Sequence, residues 1–285
     1  MTVLEVIRRS AEFLEKKGVD SPRLQAELLL AHVLKLPRMQ LYLNFERELT
    51  AVDLDTSREL VKRRGRREPL QQILGATSFC GLDIKLSHAV LVPRPETELL
   101  AEQGWTHLAQ LSKSEPPMAL DFGTGSGCLA IALAVRCHAA RVEAIDVSAE
   151  AVELAKQNAS NNGVAERIEF RTGRGLTVLA PDARFDLIIS NPPYIPSHEI
   201  QELQPEVRDY EPRAALDGGA DGLDFYRLLA VQAGGLLNPN GKIMLEFGDD
   251  QAVSVRELFL EQNWIVERVL EDYTQRPRIL IAAHG

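Results

Sequence analysis

The sequence lacks any apolar run long enough to cross a bilayer. Its longest such stretch, 128–135 ("CLAIALAV"), falls far below the ~20 residues a spanning helix needs. The amino-terminal stretch "MTVLEVIRRSAEFLEKKG" does not read as a secretory signal, because Glu5 and Glu12 interrupt it early. Cysteine is scarce: Cys80, Cys128 and Cys137 show neither paired nor metal-like spacing. Six histidines are scattered without an HxxxH or HExxH pattern, so no metal site is expected. Free thiols in a reducing compartment fit a cytoplasmic protein. A broad positive surface is missing as well. The net charge is −9, and residues 76–285 alone carry −12, which argues against a phosphate-binding face on the main body.

The charge that is present is uneven. Residues 1–75 carry +3, concentrated in "RELVKRRGRREP" at 58–69. This region reads as three or four helices. Val3, Leu4, Ile7, Ala11 and Leu14 fall on one helical face. Ser21 before Pro22, and Thr50 further on, look like helix N-caps. "SFCGLDIKLS" at 78–87 alternates around Gly81 as a hairpin does. In "VLVPRPETELL", Pro93 and Pro95 forbid a regular strand, and "PETE" can open a helix with acids at its positive end. From about 117, strands and helices alternate ("MALDFG", "RVEAIDV", "RIEFRTG", "RFDLIISN", "GKIMLEFG"), and two final strands close the chain. The pattern predicts a doubly wound α/β sheet with an antiparallel edge. The expected domains are 1–75, helical; 76–95, a hairpin linker; and 96–285, the α/β domain.

Two motifs fall at strand ends of that domain. "LDFGTGSGCLA" at 120–130 joins the first strand to its helix. Gly123, Gly125 and Gly127 let a ligand approach the backbone, and Asp146, ending the next strand, can accept from ribose hydroxyls. A dinucleotide fingerprint needs Gly or Ala where Cys128 stands, and a P-loop needs a Gly-Lys-Ser/Thr ending. The nucleoside ligand that remains is S-adenosylmethionine, which carries no phosphate. The second motif is "NPPY" at 191–194, straight after the apolar "FDLIIS". Two prolines stiffen the loop and remove its N–H groups. What it offers are acceptors: the Asn191 side-chain oxygen and the Pro192 carbonyl. Such a pair suits a planar –NH2 group, with Tyr194 stacked on its plane. That group occurs on an exocyclic base amine and on a carboxamide, and the loop alone does not choose between them.

"DFGTGSG", "ISNPPYI", "EPRAALDGGADGLDFYR" and "VLVPRPETE" together resemble the peptide chain release factor glutamine methyltransferases. The likeness extends through the helical region and "QQILGATSFCGL". It implies a class I methyltransferase fold with a seven-stranded, mostly parallel sheet and a small N-terminal helical domain for docking the substrate. It implies S-adenosylmethionine as cofactor and transfer to the side-chain nitrogen of the glutamine in a Gly-Gly-Gln loop, with release factors as partners and no nucleic-acid substrate. By position, Gly123, Thr124, Gly125, Ser126, Gly127, Asp146, Gly175 and Asn191 would hold the cofactor. Asn191, Pro192, Pro193 and Tyr194 would hold the substrate, with Asn191, Pro192 and Tyr194 catalytic. Where the family has an acidic–aromatic pair beside the adenine, this chain has Arg174 and Gly175, so Leu176 or backbone groups would replace it. Thr97 or Glu98 would wall the site, "EPRAAL" could be a lid or an internal ion pair of Glu211 with Arg213, and Arg63, Arg64, Arg66 and Arg67 would form the docking face. The alternatives are a ribosomal-protein glutamine methyltransferase, a nucleic-acid adenine methyltransferase and a non-catalytic cofactor-binding regulator.

Overall fold

The computed structural model describes residues 1–111 and 115–285, which form two compact units. The first unit, Met1–Ala76 with Gln204–Tyr210, is helical. It holds α1 (Val3–Lys16), α2 (Pro22–Leu34), α3 (Arg38–Tyr42), α4 (Ala51–Gly65) and α5 (Leu70–Leu74), two of them single turns. The short α9 (Pro205–Arg208) joins them from much later in the chain. Thr2 with Glu5 and Thr50 with Asp53 close capping boxes at the starts of α1 and α4. Ser21 departs from its expected role: it sits in the left-handed region at φ 47°, and its hydroxyl caps nothing. On α1, Val3, Ile7 and Leu14 are buried as their spacing predicts, but Val6 is buried while Leu4 is 41% exposed.

The arginines of α4 and its C-terminal turn are largely committed inside this unit. Arg64, 4% exposed, donates to Gln25, to the Glu68 carbonyl and to Glu206. Arg67 reaches the same Glu206 oxygen at 2.6 Å, and Arg63 pairs with Glu68. Reversing these charges would break internal ion pairs, so it does not isolate a docking surface.

The second unit, Thr77–Leu203 with Glu211–Gly285, carries the sheet. It opens with the hairpin β1 (Ala76–Phe79) and β2 (Leu82–Lys85). Both turn residues, Cys80 and Gly81, have positive φ (51° and 77°), the backbone that a two-residue hairpin turn requires. The chain continues through α6 (Pro95–Gln110), β3 (Met118–Phe122), α7 (Cys128–Arg136), β4 (Arg141–Asp146), α8 (Ala149–Asn161), β5 (Ile168–Thr172) and β6 (Phe185–Ser190). After the excursion to α9 come α10 (Asp224–Gln232), β7 (Leu237–Glu246), α11 (Ala252–Glu261), β8 (Trp264–Glu271) and β9 (Pro277–His284).

The sheet runs β5-β4-β3-β6-β7-β9-β8, parallel except where β9 pairs antiparallel with β7 and β8. Side chains alternate between its faces. Ala119, Leu187, Ile189 and Met244 pack against α6, α7 and α8, while Leu120, Ile188, Ile243 and Leu245 pack against α10 and α11. Both faces are covered, so all six residues of β6 are buried, the polar Asp186 and Ser190 among them. Helix α6 lies close on the sheet at Gly104, where an added Cβ would come within 2.8 Å of Leu133 and 3.0 Å of Ile189. Neighbours of β3 on either side, β4 and β6, are reached by connections in opposite directions. Ligands of open α/β sheets bind beyond the carboxyl ends of the strands at such a switch point. No helix among the described residues is long and apolar enough to cross a membrane.

Substituting Arg64→Ala should lower stability by about 2–3 kcal/mol, the scale of lost hydrogen bonds to a charged group at a buried site. Arg67 still neutralises Glu206 in that variant, which keeps the loss below that of a fully orphaned buried charge. A urea titration of the full chain, parent against variant, measures it.

Candidate functional site

Four strand ends at the switch point supply the site. The glycine loop follows β3, Asp146 ends β4, Gly175 follows β5, and Asn191 follows β6. Hydrogen bonds join them. The Gly123 and Thr124 N–H groups donate to the Ile145 carbonyl at 2.9 and 3.0 Å. Gly125 N–H donates to Asp146 Oδ2 at 2.8 Å, and Ser148 N–H to Oδ1 at 2.9 Å. The Asp146 carbonyl accepts from Gly173 N–H at 2.9 Å, drawing the loop that carries Gly175 alongside. Ser190 Oγ donates to the Phe122 carbonyl at 2.5 Å and ties the end of β6 to that of β3. Asp146 therefore braces the glycine loop, and each carboxylate oxygen keeps a further lone pair for a ligand.

The glycines divide by role. Gly123 and Gly125 have φ of 73° and 54°, and a Cβ on either would meet nothing within 4 Å. Beside them is open space that a ligand can fill. Gly127 instead faces Ala155, 3.0 Å from a hypothetical Cβ, and permits close packing of α8. Thr124 and Ser126 turn inward, only 5% and 2% exposed. Thr124 Oγ1 donates to Asp121 Oδ2 at 2.6 Å, and the Ser126 carbonyl accepts from Asn158. Of these two residues only backbone can serve a ligand. Asp121 is fully buried; Oδ2 also accepts from Ala130 N–H, while Oδ1 has no partner among the described residues. Burial pushes its carboxyl up to about 7, opposed by Thr124 and Ala130, with nearby Asp146 adding to the rise. The unpartnered Asp121 oxygen and the open space beside Gly123 and Gly125 are the two features of this loop that suit a ligand with a cationic or N–H group.

The Asn191–Tyr194 loop cannot hold itself, since Pro192 and Pro193 donate nothing. The segment 211–224 and the end of β7 hold it. Ile195 N–H donates to the Leu216 carbonyl at 3.0 Å, and Gly218 N–H returns to the Ile195 carbonyl at 2.9 Å. Gln251 Nε2 donates to the Tyr194 carbonyl at 2.9 Å, and Gln251 Oε1 accepts from Gly248 N–H. Glycines make the approach possible. A Cβ on Gly218 would lie 2.8 Å from the Pro193 carbonyl oxygen, and one on Gly222 only 2.3 Å from that of Tyr194. Asp217 braces the clamp, accepting from Ser197, Gly219 N–H and Arg213.

The expected Glu211–Arg213 pair does not form, because Arg213 is taken by Asp217. Glu211, 6% exposed, binds Arg94 at 2.6 Å and accepts from Val92 N–H. Glu98 likewise faces the hairpin, where it accepts from Cys80 N–H at 2.8 Å. Thr97 does reach the loop: its Oγ1 accepts from Asn191 Nδ2 at 3.0 Å and donates to Glu246 Oε2 at 2.7 Å. Burial pushes the Tyr194 phenol up to about 12, reinforced by Glu246, so it stays neutral at ordinary pH. Sequence reasoning missed Glu246, Gln251 and the glycine clamp. Only the glycine density of "DGGADG" signalled the last.

Comparison with known proteins adds the following. Residues 5–75 match the PrmC N-terminal domain family, and residues 103–207 the Methyltransferase small domain family. The release factor glutamine methyltransferase of Geobacter sulfurreducens is 45% identical over 258 residues, 90% of this chain and 88% of that protein. That of Chlorobaculum tepidum is 44% identical over 282 residues, 97% and 95% of the two chains. Among solved structures, a methyltransferase from Pyrococcus furiosus superposes with TM-score 0.53 at 22% identity, covering 79% of this chain and 99% of its own. The hMettl16 catalytic domain gives TM-score 0.57 at 16% identity, covering 80% and 82%. At such identities the two structures speak for the fold alone, and they agree with the seven-stranded sheet described above.

Gly222→Ala should destabilise the chain by about 2–4 kcal/mol. Its φ of 76° is strained for any Cβ, by roughly 1–2 kcal/mol, and the clash with the Tyr194 carbonyl adds an overpacking cost of similar size. Thermal unfolding of the variant beside the parent reads the loss.

Proposed function

Because the chain belongs to the release factor glutamine methyltransferases, we propose that it methylates the side-chain nitrogen of the glutamine in the Gly-Gly-Gln motif of peptide chain release factors. S-adenosylmethionine is the methyl donor in this reading. The observation that carries it is the polarity of the Asn191–Tyr194 loop. Asn191 spends its Nδ2 group on Thr97, so Oδ1 is left to accept, and neither Pro192 nor Pro193 adds an N–H to the loop. Two acceptors side by side match the two N–H donors of a carboxamide.

The cofactor reading rests on the donor set already described: the orphaned Asp121 oxygen, the space above Gly123 and Gly125, and the spare lone pairs of Asp146. Asp121 would meet the cationic amino-acid end and Asp146 the ribose. Gly175 and Leu176 would border the base in place of the acidic–aromatic pair. When bound, the cofactor supplies a methyl carbon activated by a sulfonium charge. The chain's own task is then placement. An amide nitrogen is a poor nucleophile because its lone pair is delocalised into the carbonyl. Asn191 Oδ1 and the Pro192 carbonyl accept its two N–H bonds, and Tyr194 covers its plane. As the lone pair is drawn into the new N–C bond, the nitrogen becomes positive and both acceptors bind it more strongly than in the ground state. It then sheds one proton to water. No strong base is needed, and holding the partners in line can supply roughly 7–11 kcal/mol of the barrier.

A cytoplasmic location follows from the substrate class. An adenine amino group would satisfy the same two acceptors, so charge is the discriminating feature. Residues 76–285 carry a net −12, which disfavours a polyanionic substrate. The helical unit is read as the docking element for the protein substrate.

Asn191→Ala should slow methyl transfer about 10²–10³-fold, the cost of one preorganised polar group, while cofactor affinity changes little. Single-turnover labelling of a release factor with radiolabelled S-adenosylmethionine measures it, and mapping the labelled residue tests the substrate. Parallel reactions on ribosomal protein, DNA and RNA should stay unlabelled. An unaltered single-turnover rate would remove Asn191 from its role.

A further inference from the structure

Thr97 and Glu246 meet no ligand-facing surface of their own. Thr97 is 2% exposed in the first turn of α6, and Glu246 is 1% exposed at the end of β7. The pairing of Ser190 with Leu245 sets Glu246 level with Asn191 on the adjacent strand. Burying a carboxylate is costly unless something needs it there. Here the carboxylate accepts the Thr97 hydroxyl at 2.7 Å, and the Thr97 oxygen accepts Asn191 Nδ2 at 3.0 Å.

We propose that Thr97 and Glu246 are positioning residues that fix which end of the Asn191 carboxamide faces the substrate. The inference rests on Asn191 serving as an acceptor for the substrate amide, as argued above. A threonine hydroxyl has a single proton, and an ionised carboxylate can only accept. Glu246 therefore takes that proton, Thr97 is left as an acceptor toward Asn191, and Asn191 must turn its –NH2 group inward. Oδ1 then faces the substrate. A carboxamide alone has no reason to choose, since its two ends are nearly the same size. The buried charge chooses for it, through one hydroxyl.

The arrangement is sensitive to pH. A protonated Glu246 can donate to Thr97, which frees the threonine proton for Asn191 Oδ1 and reverses the amide. Burial pushes the Glu246 carboxyl up to about 7; Glu96 on α6 adds to the rise, while the Thr97 hydrogen bond, Arg278 on β9 and Arg94 oppose it. Tyr194 and Tyr226 also face this residue; Tyr226 donates to its backbone carbonyl at 2.8 Å, and both phenols remain neutral. The ordered, ionised form exists above pH about 7 and is lost as pH falls through it.

Thr97→Val keeps the shape and removes the hydroxyl. We expect it to lower the single-turnover rate at pH 8 by at least about tenfold, the low end for a preorganised polar contact, with cofactor Kd like the parent and a lower unfolding midpoint, since buried Glu246 loses a hydrogen bond. Thr97→Ser should stay within about threefold of the parent, since it restores the relay. The parent rate should fall below pH 7, whereas Glu246→Gln should be slower at pH 8 and lack that inflection. A second readout needs no substrate. In asparagine-labelled protein, the Asn191 side-chain NH2 resonances should shift across pH 6–8 in the parent and stay constant in Thr97→Val. A Thr97→Val protein that turns over like the parent, a Thr97→Ser protein as slow as Thr97→Val, or Asn191 resonances indifferent to pH would overturn the relay. A parent that labels no release factor would count against the substrate assignment, and the resonances would still decide the relay.

Discussion

Two consecutive prolines leave the Asn191–Tyr194 loop short of hydrogen-bond donors, and that deficit organises the surroundings of Asn191. The same lack of N–H groups at Pro192 and Pro193 that leaves only acceptors on their backbone keeps the loop out of a sheet ladder. The Tyr194 carbonyl is fixed from outside by Gln251, and Ile195 just beyond it by backbone hydrogen bonds with Leu216 and Gly218. Those donors can come close only where side chains are missing, at Gly218, Gly222 and Gly248. Asp217 then holds the clamping segment, and Arg94 with Glu211 fixes the point where it begins. A motif of four residues thus depends for its rigidity on partners spread from Arg94 to Gln251.

Two buried carboxylates stand on either side of that loop in the sheet order, Asp121 on β3 and Glu246 at the end of β7. Both are pushed up to about 7 by burial and held by a threonine hydroxyl. They differ in what they leave over. Asp121 keeps an oxygen with no partner among the described residues, which suits the proposed cofactor. Glu246 passes its preference outward through Thr97, so its effect appears on Asn191. One acid is suited to accept from a cofactor, and the other to orient the contact with a substrate.

The sheet was legible because burial on both faces leaves a plain mark: "FDLIIS" is apolar at four of its six positions, and helices with their own periodicity separate such runs. The glycine loop and "NPPY" were legible because each combines rare backbone chemistry with a strand end. Interactions between distant residues were not. Glu246 reads as an ordinary polar strand terminus until Thr97, 149 residues earlier in the chain, is seen to donate to it. Glu211 had a plausible partner two residues away, and the fold chose Arg94, 117 residues back, because Asp217 competes for Arg213. Ser21 had the right residue type for a cap but the wrong backbone, since a left-handed conformation directs its hydroxyl away from the helix N–H groups. Local patterns specified the elements; choices among competing partners needed coordinates.

The helical unit is threaded twice: the chain builds it from residues 1–76 and returns to it at Gln204–Tyr210, where Glu206 receives both Arg64 and Arg67. It cannot be inherited, exchanged or excised as a single contiguous cassette. An amino-terminal region grafted from elsewhere would arrive without its acidic counterpart, and a trimmed catalytic portion would keep an insertion whose cationic lining had gone. Recombination between relatives should therefore favour crossovers that move both pieces together, so that two stretches far apart in the gene share one evolutionary fate.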